Sequence, residues 1–149
     1  MKQYNLDENK AIVQRYVDEI QNEHNLDAIE SIFSSDFIDH MDSFGGLFQG
    51  LDGLTRGYSQ LLTAFPDLQM TVQQLIAEDD KVVVYKTGTG THCEEYQGIP
   101  ATGKKIEFTN IYIFRIKDKK IAEYWGLYDE YGVKRQLGVV GIKEDGEKE

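Results

Sequence analysis

Residues that can transfer protons lie near the end of the chain, in a segment with alternating side-chain types. Read as a strand, this segment places Glu123, Trp125 and Asp129 on one face, because residues two apart in a strand point to the same side. If that face is the concave one, both carboxylates point towards the interior. A carboxylate among apolar groups has a raised pKa and is a better general base near neutral pH. The spacing therefore indicates acid–base chemistry.

An amide interrupts an otherwise apolar row in the preceding strand pattern. Asn110 alternates with Phe108 and Tyr112, so the three side chains share a face. Buried amides are hydrogen-bonded, and Asn110 therefore binds either a protein group or a ligand. Aromatic side chains such as Tyr112 and Trp125 suit stacking on a flat ring, although Trp125 can equally serve only in packing.

Two histidines are candidates for the same site. His92 ends the row of alternate residues that begins at Val82 and includes Lys86. His40 follows Asp39 directly and either lines a pocket or is a hydrogen-bonded core residue.

The two carboxylates also have structural explanations. Asp129 can cap the turn that follows it, and Glu123 can form an ion pair with Arg115 or Lys120. Spacing alone leaves both alternatives open.

Other chemistries fit the sequence poorly. Cys93 follows His92 directly, and strand neighbours point to opposite faces, so they do not form a thiol–imidazole pair. No Gly-rich phosphate loop opens a helix. The remaining metal donors lack the close spacing of a zinc motif. These donors are His40, Asp42, His92, Glu94 and Asp129. We therefore predict no metal.

The elements that must position these residues follow from periodicity. Apolar residues at helical spacing predict helices over 7–23, 25–34 and 50–64. After Pro66 the period changes to two, which predicts strands over 68–78, 81–93, 105–117 and 120–130. Helices followed by strands with short turns indicate an α+β fold, in which N-terminal helices pack on a strongly curved antiparallel sheet with a mixed edge and enclose a pocket.

Bulk properties bound the class of protein. A length of 149 residues suits one domain, which we place at 1–140, followed by a charged and disordered tail at 141–149. The net charge of -10 argues against nucleic acid or an anionic membrane as partner. The single cysteine excludes an internal disulfide, and the N-terminus has no apolar signal segment, so a cytoplasmic location is expected.

An ordered set of short motifs resembles a known family. The motifs are AFPDL at 64–68, IAEDDKVV at 76–83, GTH at 90–92, GIPATGK at 98–104, KIAEYW at 120–125, Asp129, and QLG at 136–138. In order and spacing the chain is similar to the SnoaL-like polyketide cyclase (ester cyclase) family of the nuclear transport factor 2-like superfamily. One departure is Lys119, where this family usually has Gly in the turn.

The resemblance implies a cone-shaped α+β barrel, often a homodimer packed through its sheet. It also implies a small hydrophobic, aromatic or polyketide-like ligand. Characterised cyclases of the family close a ring by intramolecular aldol addition, without metal or organic cofactor. The family's pocket aspartate corresponds to Asp129, and its histidines correspond to His92 and His40.

From this resemblance we predict roles for the candidate residues. Asp129 is the base and then the acid, and His92 donates a hydrogen bond or relays the proton. His40 and Asn110 orient the substrate carbonyls. The remaining predicted substrate contacts are Phe108, Tyr112, Glu123 and Trp125. The alternatives are a ligand-binding protein without turnover, and a structural or dimerisation module whose cone is filled by side chains.

Overall fold

The computed structural model describes residues 2–41 and 50–140. The predicted tail, 141–149, and Asp42 lie outside these ranges.

The N-terminal helix has two parts. Helix α1, Leu6–Arg15, begins at Asn5, whose side chain accepts a hydrogen bond from the Glu8 amide at 3.0 Å and so caps the first turn. It continues directly as a π-helical segment, Tyr16–Asn22. Together the two parts confirm the helix predicted over 7–23.

The second predicted helix is shorter than expected. A 3₁₀ turn, Leu26–Ala28, leads into α2, Ile29–Ile32. The chain then forms strand β1, Phe33–Asp39, where the sequence analysis predicted either helix or no element. The strand forms because its backbone pairs with the last strand of the sheet, with a register shift between Phe33 and Ile38, while the Phe33 and Phe37 side chains are both buried. This tertiary packing outweighs the weak local pattern.

The third predicted helix and the four predicted strands are present. Helix α3 is Gly50–Ala64, and it ends two residues before Pro66, which cannot continue a helix. The strands are β2, Gln69–Glu78, β3, Lys81–Thr91, β4, Lys105–Lys117, and β5, Lys120–Tyr128. A further helix, α4, Glu130–Leu137, was not predicted.

The five strands form one mixed sheet in the order β1-β5-β4-β3-β2. Strand β1 pairs parallel with β5, and the other neighbours are antiparallel. The turn between β4 and β5 places Lys119 at φ 62, a left-handed conformation that glycine adopts more easily.

Helices α1, α3 and α4 contact the sheet, and the buried apolar side chains between the two layers form one continuous core. None of the helices in residues 2–41 and 50–140 combines the length and apolar character needed to cross a membrane.

Candidate functional site

A cavity lies between the helices and the concave face of the sheet. Its volume is about 90 Å³, counted as space open to the centre of a water molecule, and one water needs only roughly 10–15 Å³ on that measure. Most of its wall is aromatic, from Phe65, Tyr96, Phe108, Tyr112 and Phe114. The cavity therefore suits a flat, mainly apolar molecule.

The predicted alternation of β5 fails at a β-bulge. Arg115 of β4 pairs with Glu123, but the next residue, Ile116, pairs with Ile121. One residue of β5 is therefore extra, and Ile121 and Ala122 are both buried. A bulge of this kind reverses which residues face each side of the sheet.

This reversal corrects the face assigned to the carboxylates. Tyr124 and Tyr128 line the cavity, whereas Glu123, Trp125 and Asp129 are not among the described residues that line it. The prediction that these three side chains project into the concave interior is wrong, because it assumed that side chains alternate without interruption across the bulge.

Asp129 lies at the start of α4. It is exposed, and its Oδ1 accepts a hydrogen bond from the Gly132 amide at 2.9 Å, as an N-cap does. The capping alternative therefore describes its observed contact, and its predicted catalytic role has no cavity contact in the described residues.

His92 is fully buried but is separate from the cavity lining. Its ring stacks on Phe65, with centroids 5.3 Å apart, and its Nδ1 lies 3.0 Å from the Thr102 hydroxyl. Nε2 has no hydrogen-bond partner among the described residues. His92 and Asp129 therefore do not converge in one chamber, contrary to expectation.

His40 lies on the opposite side of the sheet. Its ring stacks on Trp125 with centroids 4.6 Å apart, and its Nε2 is 3.5 Å from Glu123. Glu123 also accepts a 2.6 Å hydrogen bond from Arg115. The bond from Arg115 lowers the pKa of the Glu123 carboxyl. The prediction that His40, Glu123 and Trp125 line the pocket is therefore wrong.

Three predicted contacts do line the cavity, namely Phe108, Asn110 and Tyr112. The Tyr112 ring lies so close to Gly126 that a Cβ there would be 2.3 Å from its Cδ1. The Asn110 Oδ1 is buried and has no hydrogen-bond partner among the described residues. An acceptor of this kind in an aromatic cavity can receive a hydrogen bond from a ligand.

Tyrosine hydroxyls and one amide form a hydrogen-bonded cluster in the wall. Tyr16 and Tyr58 share a short hydrogen bond, and Gln21 Nε2 donates to Tyr16 at 3.0 Å and to Tyr58 at 3.3 Å. All three residues line the cavity. Burial raises the pKa of Tyr58 to about 12 and that of Tyr16 well above its usual range, so both remain protonated donors.

The π-helical segment brings Gln21 beside Tyr16. Residues five apart point in clearly different directions in an α-helix with about 3.6 residues per turn, but a π-helix closes with bonds over five residues. The Glu23 amide makes such a bond, at 2.9 Å, to the Asp18 carbonyl. The irregular helix therefore creates the cluster.

A carboxylate reaches the cavity wall through a tyrosine. Tyr124 Oη donates to Asp39 Oδ2 at 2.5 Å, and the Met41 amide donates to Asp39 Oδ1 at 2.8 Å. The register pairs Asp39 with Tyr124, so both side chains lie on the concave side of their strands. The charge of Asp39 adds to the rise that burial causes in the pKa of Tyr58 and Tyr112.

Sequence reasoning missed Asp39 and the Tyr16–Gln21–Tyr58 cluster. Asp39 went unnoticed because β1 was not predicted, although Phe37 and Asp39 have strand spacing. Lys86 did leave a signal in the sequence, because it lies in the inward-facing row of β3 and a buried cation is unusual.

Comparison with known proteins agrees with this fold. The family model for SnoaL-like polyketide cyclases matches residues 11–137. No curated protein matches the chain in sequence at a significant level.

Solved structures resemble the chain over most of its length. TsrD from Streptomyces laurentii is 23% identical, with a TM-score of 0.83 over 93% of this chain and 100% of its own. AclR from Streptomyces galilaeus, described as a candidate hydroxylase, is 26% identical, with a TM-score of 0.79 over 92% and 100%. A candidate polyketide cyclase from Bacillus cereus is 29% identical, with a TM-score of 0.77 over 90% and 83%. With the match of the family model over 11–137, these likenesses lead to one conclusion: the chain belongs to the SnoaL-like polyketide cyclase family.

Proposed function

We propose that this protein is a cofactor-independent enzyme that moves protons on a flat, polyketide-like molecule, by intramolecular aldol cyclisation or a related isomerase or dehydratase reaction. The observation that carries the proposal is the buried Asn110 acceptor in an aromatic cavity. A ligand hydroxyl or enol would supply the missing donor. The cytoplasmic location expected from the sequence stays a prediction.

The Tyr124–Asp39 pair is the proposed acid–base group. Tyr124 Oη would take a proton from the carbon between two carbonyls while its own proton passes to Asp39 Oδ2 over the 2.5 Å bond. The resulting enolate carbon would attack a second carbonyl of the same molecule and form the ring C–C bond. The new alkoxide would then take a proton from Tyr124 as Asp39 returns one. Protons and electrons balance without a cofactor.

A ligand-binding protein without turnover is the second candidate. It is favoured by the absence of carboxylates and histidines from the cavity lining among the described residues. In that case Asp39 would only orient the Tyr124 hydroxyl.

Hydrogen–deuterium exchange of a surrogate separates these functions. We expect the protein to accelerate exchange at the carbon between the carbonyls of ethyl 2-methylacetoacetate in D₂O, by about 10²-fold over buffer, the lower end of general acid–base effects. Proton NMR measures the exchange, and saturation-transfer NMR on the same sample measures binding. Binding with exchange at the buffer rate would instead favour the non-catalytic protein.

Asn110→Leu tests the observation that carries the proposal. Leu has a similar shape but lacks the acceptor, so the surrogate's enol should bind about fivefold more weakly, which corresponds to ~1 kcal/mol for a net hydrogen bond. Asp36→Asn, an exposed change on β1, is the control and should bind normally. Unchanged affinity in the Leu variant would contradict the role of Asn110.

The outer face of the sheet is the proposed homodimer interface. Register places its apolar side chains in two adjoining rows, and this outer face consists of Ile76, Val83, Tyr85, Ile111, Ile113, Trp125 and Leu127. Leu127 is 72% exposed and Ile111 is 50% exposed. A contiguous apolar patch marks an interaction site, and the family resemblance favours a second copy of the chain.

Leu127→Glu should convert the dimer into a monomer. A symmetric interface would bury two unpaired charges, each costing several kcal/mol. Light scattering coupled to size exclusion measures the mass. Val139→Glu, an exposed aliphatic position outside the sheet, should leave the dimer intact. A wild-type protein with the mass of one chain would refute the proposed interface.

A further inference from the structure

Lys86 is a buried amine without a carboxylate beside it. Its side chain is 0% exposed, and Nζ donates to Gln21 Oε1 at 2.7 Å. No ion pair with Lys86 occurs in the described part of the chain, since its polar neighbour is an uncharged amide. Burial alone lowers the pKa of Lys86 to about 7.

Two aromatic rings face this amine. Nζ lies 4.8 Å from the Tyr16 ring centroid and 5.3 Å from that of Tyr112. Ring faces attract a cation but do not neutralise it. The titratable groups around Lys86 are Tyr16 of the π-helical segment, Tyr112 of β4 and, through Gln21, Tyr58 of α3. All three have a raised pKa and are uncharged at neutral pH. The ammonium therefore has no counter-charge among them.

The cluster connects this cation to the cavity. Lys86 donates to Gln21, which in turn donates to Tyr16 and Tyr58. When Tyr58 supplies the proton of the short bond, the Tyr16 proton has no acceptor among the described residues. Tyr16 lines the cavity. A ligand oxygen there would accept a hydrogen bond from the Tyr16 hydroxyl, and the Lys86 ammonium would lie on the other side of the cluster.

We propose that the cavity binds its ligand as an enolate or phenolate, with the anionic oxygen at Tyr16 and the Lys86 ammonium as its counter-charge. The inference rests on the proposed function only in placing the ligand in the same cavity, and it requires no turnover. It narrows the ligand to flat molecules that carry an acidic enol or phenol oxygen.

The chemistry of the wall favours this anion over a carboxylate or a phosphate. Those ions concentrate charge on two or three strongly hydrated oxygens and need several charged donors. The cavity offers hydroxyl and amide donors, one cation and a mainly aromatic wall. An enolate or phenolate has a single anionic oxygen whose charge is delocalised into the ring or double bond, and this anion matches the donors, the cation and the aromatic wall of the cavity.

The absorption spectrum of bound 4-nitrophenol tests the proposal. The free compound is largely neutral at pH 6, whereas its phenolate absorbs at longer wavelength, away from the protein. We expect the bound compound to show the phenolate band at pH 6, with its pKa lowered by at least about one unit, a tenfold change in ionisation. Lys86→Met should abolish this shift, and Tyr16→Phe should reduce it.

Two controls separate the possible failures. Lys81→Met makes the same change at an exposed position of β3 and should keep the phenolate band. The uncharged isostere 4-nitrotoluene measures cavity binding without an ionisable oxygen. If 4-nitrotoluene binds but 4-nitrophenol binds as the neutral phenol, this proposal fails and the proposed function stands. Failure of both compounds to bind would contradict both proposals, and an equal phenolate band in Lys86→Met would refute the role of Lys86.

Discussion

Lys86→Met is expected to stabilise the protein by roughly 2–4 kcal/mol at pH 6. The ordinary lysine pKa of 10.5 falls to about 7 on burial, and such a shift corresponds to at most about 5 kcal/mol of destabilisation at low pH. Met is similar in length and carries no charge. It leaves Gln21 Oε1 without its donor, which costs about 1–3 kcal/mol. The balance still favours the variant.

The pH dependence has a definite sign. The folded-state pKa of Lys86 lies below its unfolded value, so between about pH 7 and 10.5 the unfolded chain holds a proton that the folded chain lacks. Wild-type stability attributable to Lys86 therefore rises with pH across this window and is constant below it. Above the window both states carry a neutral amine, and only the lost hydrogen bond to Gln21 remains. The advantage of the Met variant should vanish there and reverse by about 1–3 kcal/mol, the cost of the unpaired Gln21 acceptor.

Urea unfolding of both proteins at pH 6 and pH 10.5 measures these differences. The tyrosines that titrate at high pH are common to both proteins, so their contribution cancels in the comparison. Lys81→Met, at an exposed site, should change stability by less than about 0.5 kcal/mol at either pH. If Lys86→Met destabilised the fold at pH 6, the amine would be better compensated than its contacts imply.

Asp39→Asn is expected to remove most of the catalysed exchange of ethyl 2-methylacetoacetate, a loss of about 10²-fold if the wild type reaches that acceleration. The amide keeps the shape of the carboxylate but cannot accept the Tyr124 proton across the 2.5 Å bond. Tyr124→Phe should cost about as much, and the double variant little more, because groups that act as a unit are not additive.

Three further variants make this prediction specific. Asp36→Asn, on the same strand, and Tyr131→Phe, an exposed tyrosine of α4, should exchange at the wild-type rate. Asp129→Asn preserves the α4 cap, since Asn caps about as well as Asp, and removes the carboxylate that the family motif designates. If Asp129→Asn stopped exchange while Asp39→Asn did not, the motif-based assignment would be right and the Tyr124–Asp39 pair would be wrong.

The sequence predicted the helices and strands that depend on long, regular periodicity. The apolar stripe of α3 and the alternation in β3 and β4 extend over many residues, so each pattern remains recognisable where single residues depart from it. By contrast, β1 forms because β5 offers a parallel edge, which only the assembled sheet provides. Its seven residues, FSSDFID, carry too little pattern to indicate a strand on their own.

The candidate site was harder to predict because two small irregularities determine it. One extra residue near Ala122 exchanges the faces of β5, so Tyr124 lines the cavity in place of Glu123. The π-helical segment places Gln21 beside Tyr16, a neighbour that regular helical spacing excludes. Neither irregularity leaves a clear composition signal. The predicted site residues that do line the cavity are Phe108, Asn110 and Tyr112. They lie in a stretch of β4 where the alternation is unbroken.

The position of Trp125 determines what fluorescence can measure in this protein. It is the chain's single tryptophan, and it stacks on His40 on the outer face, away from the cavity wall. If the outer face is the dimer interface proposed above, indole emission reports on subunit association. Occupancy of the cavity directly perturbs the tyrosines that line it. A titration with a ligand that does not absorb in the range of indole emission is therefore better followed through tyrosine than through Trp125.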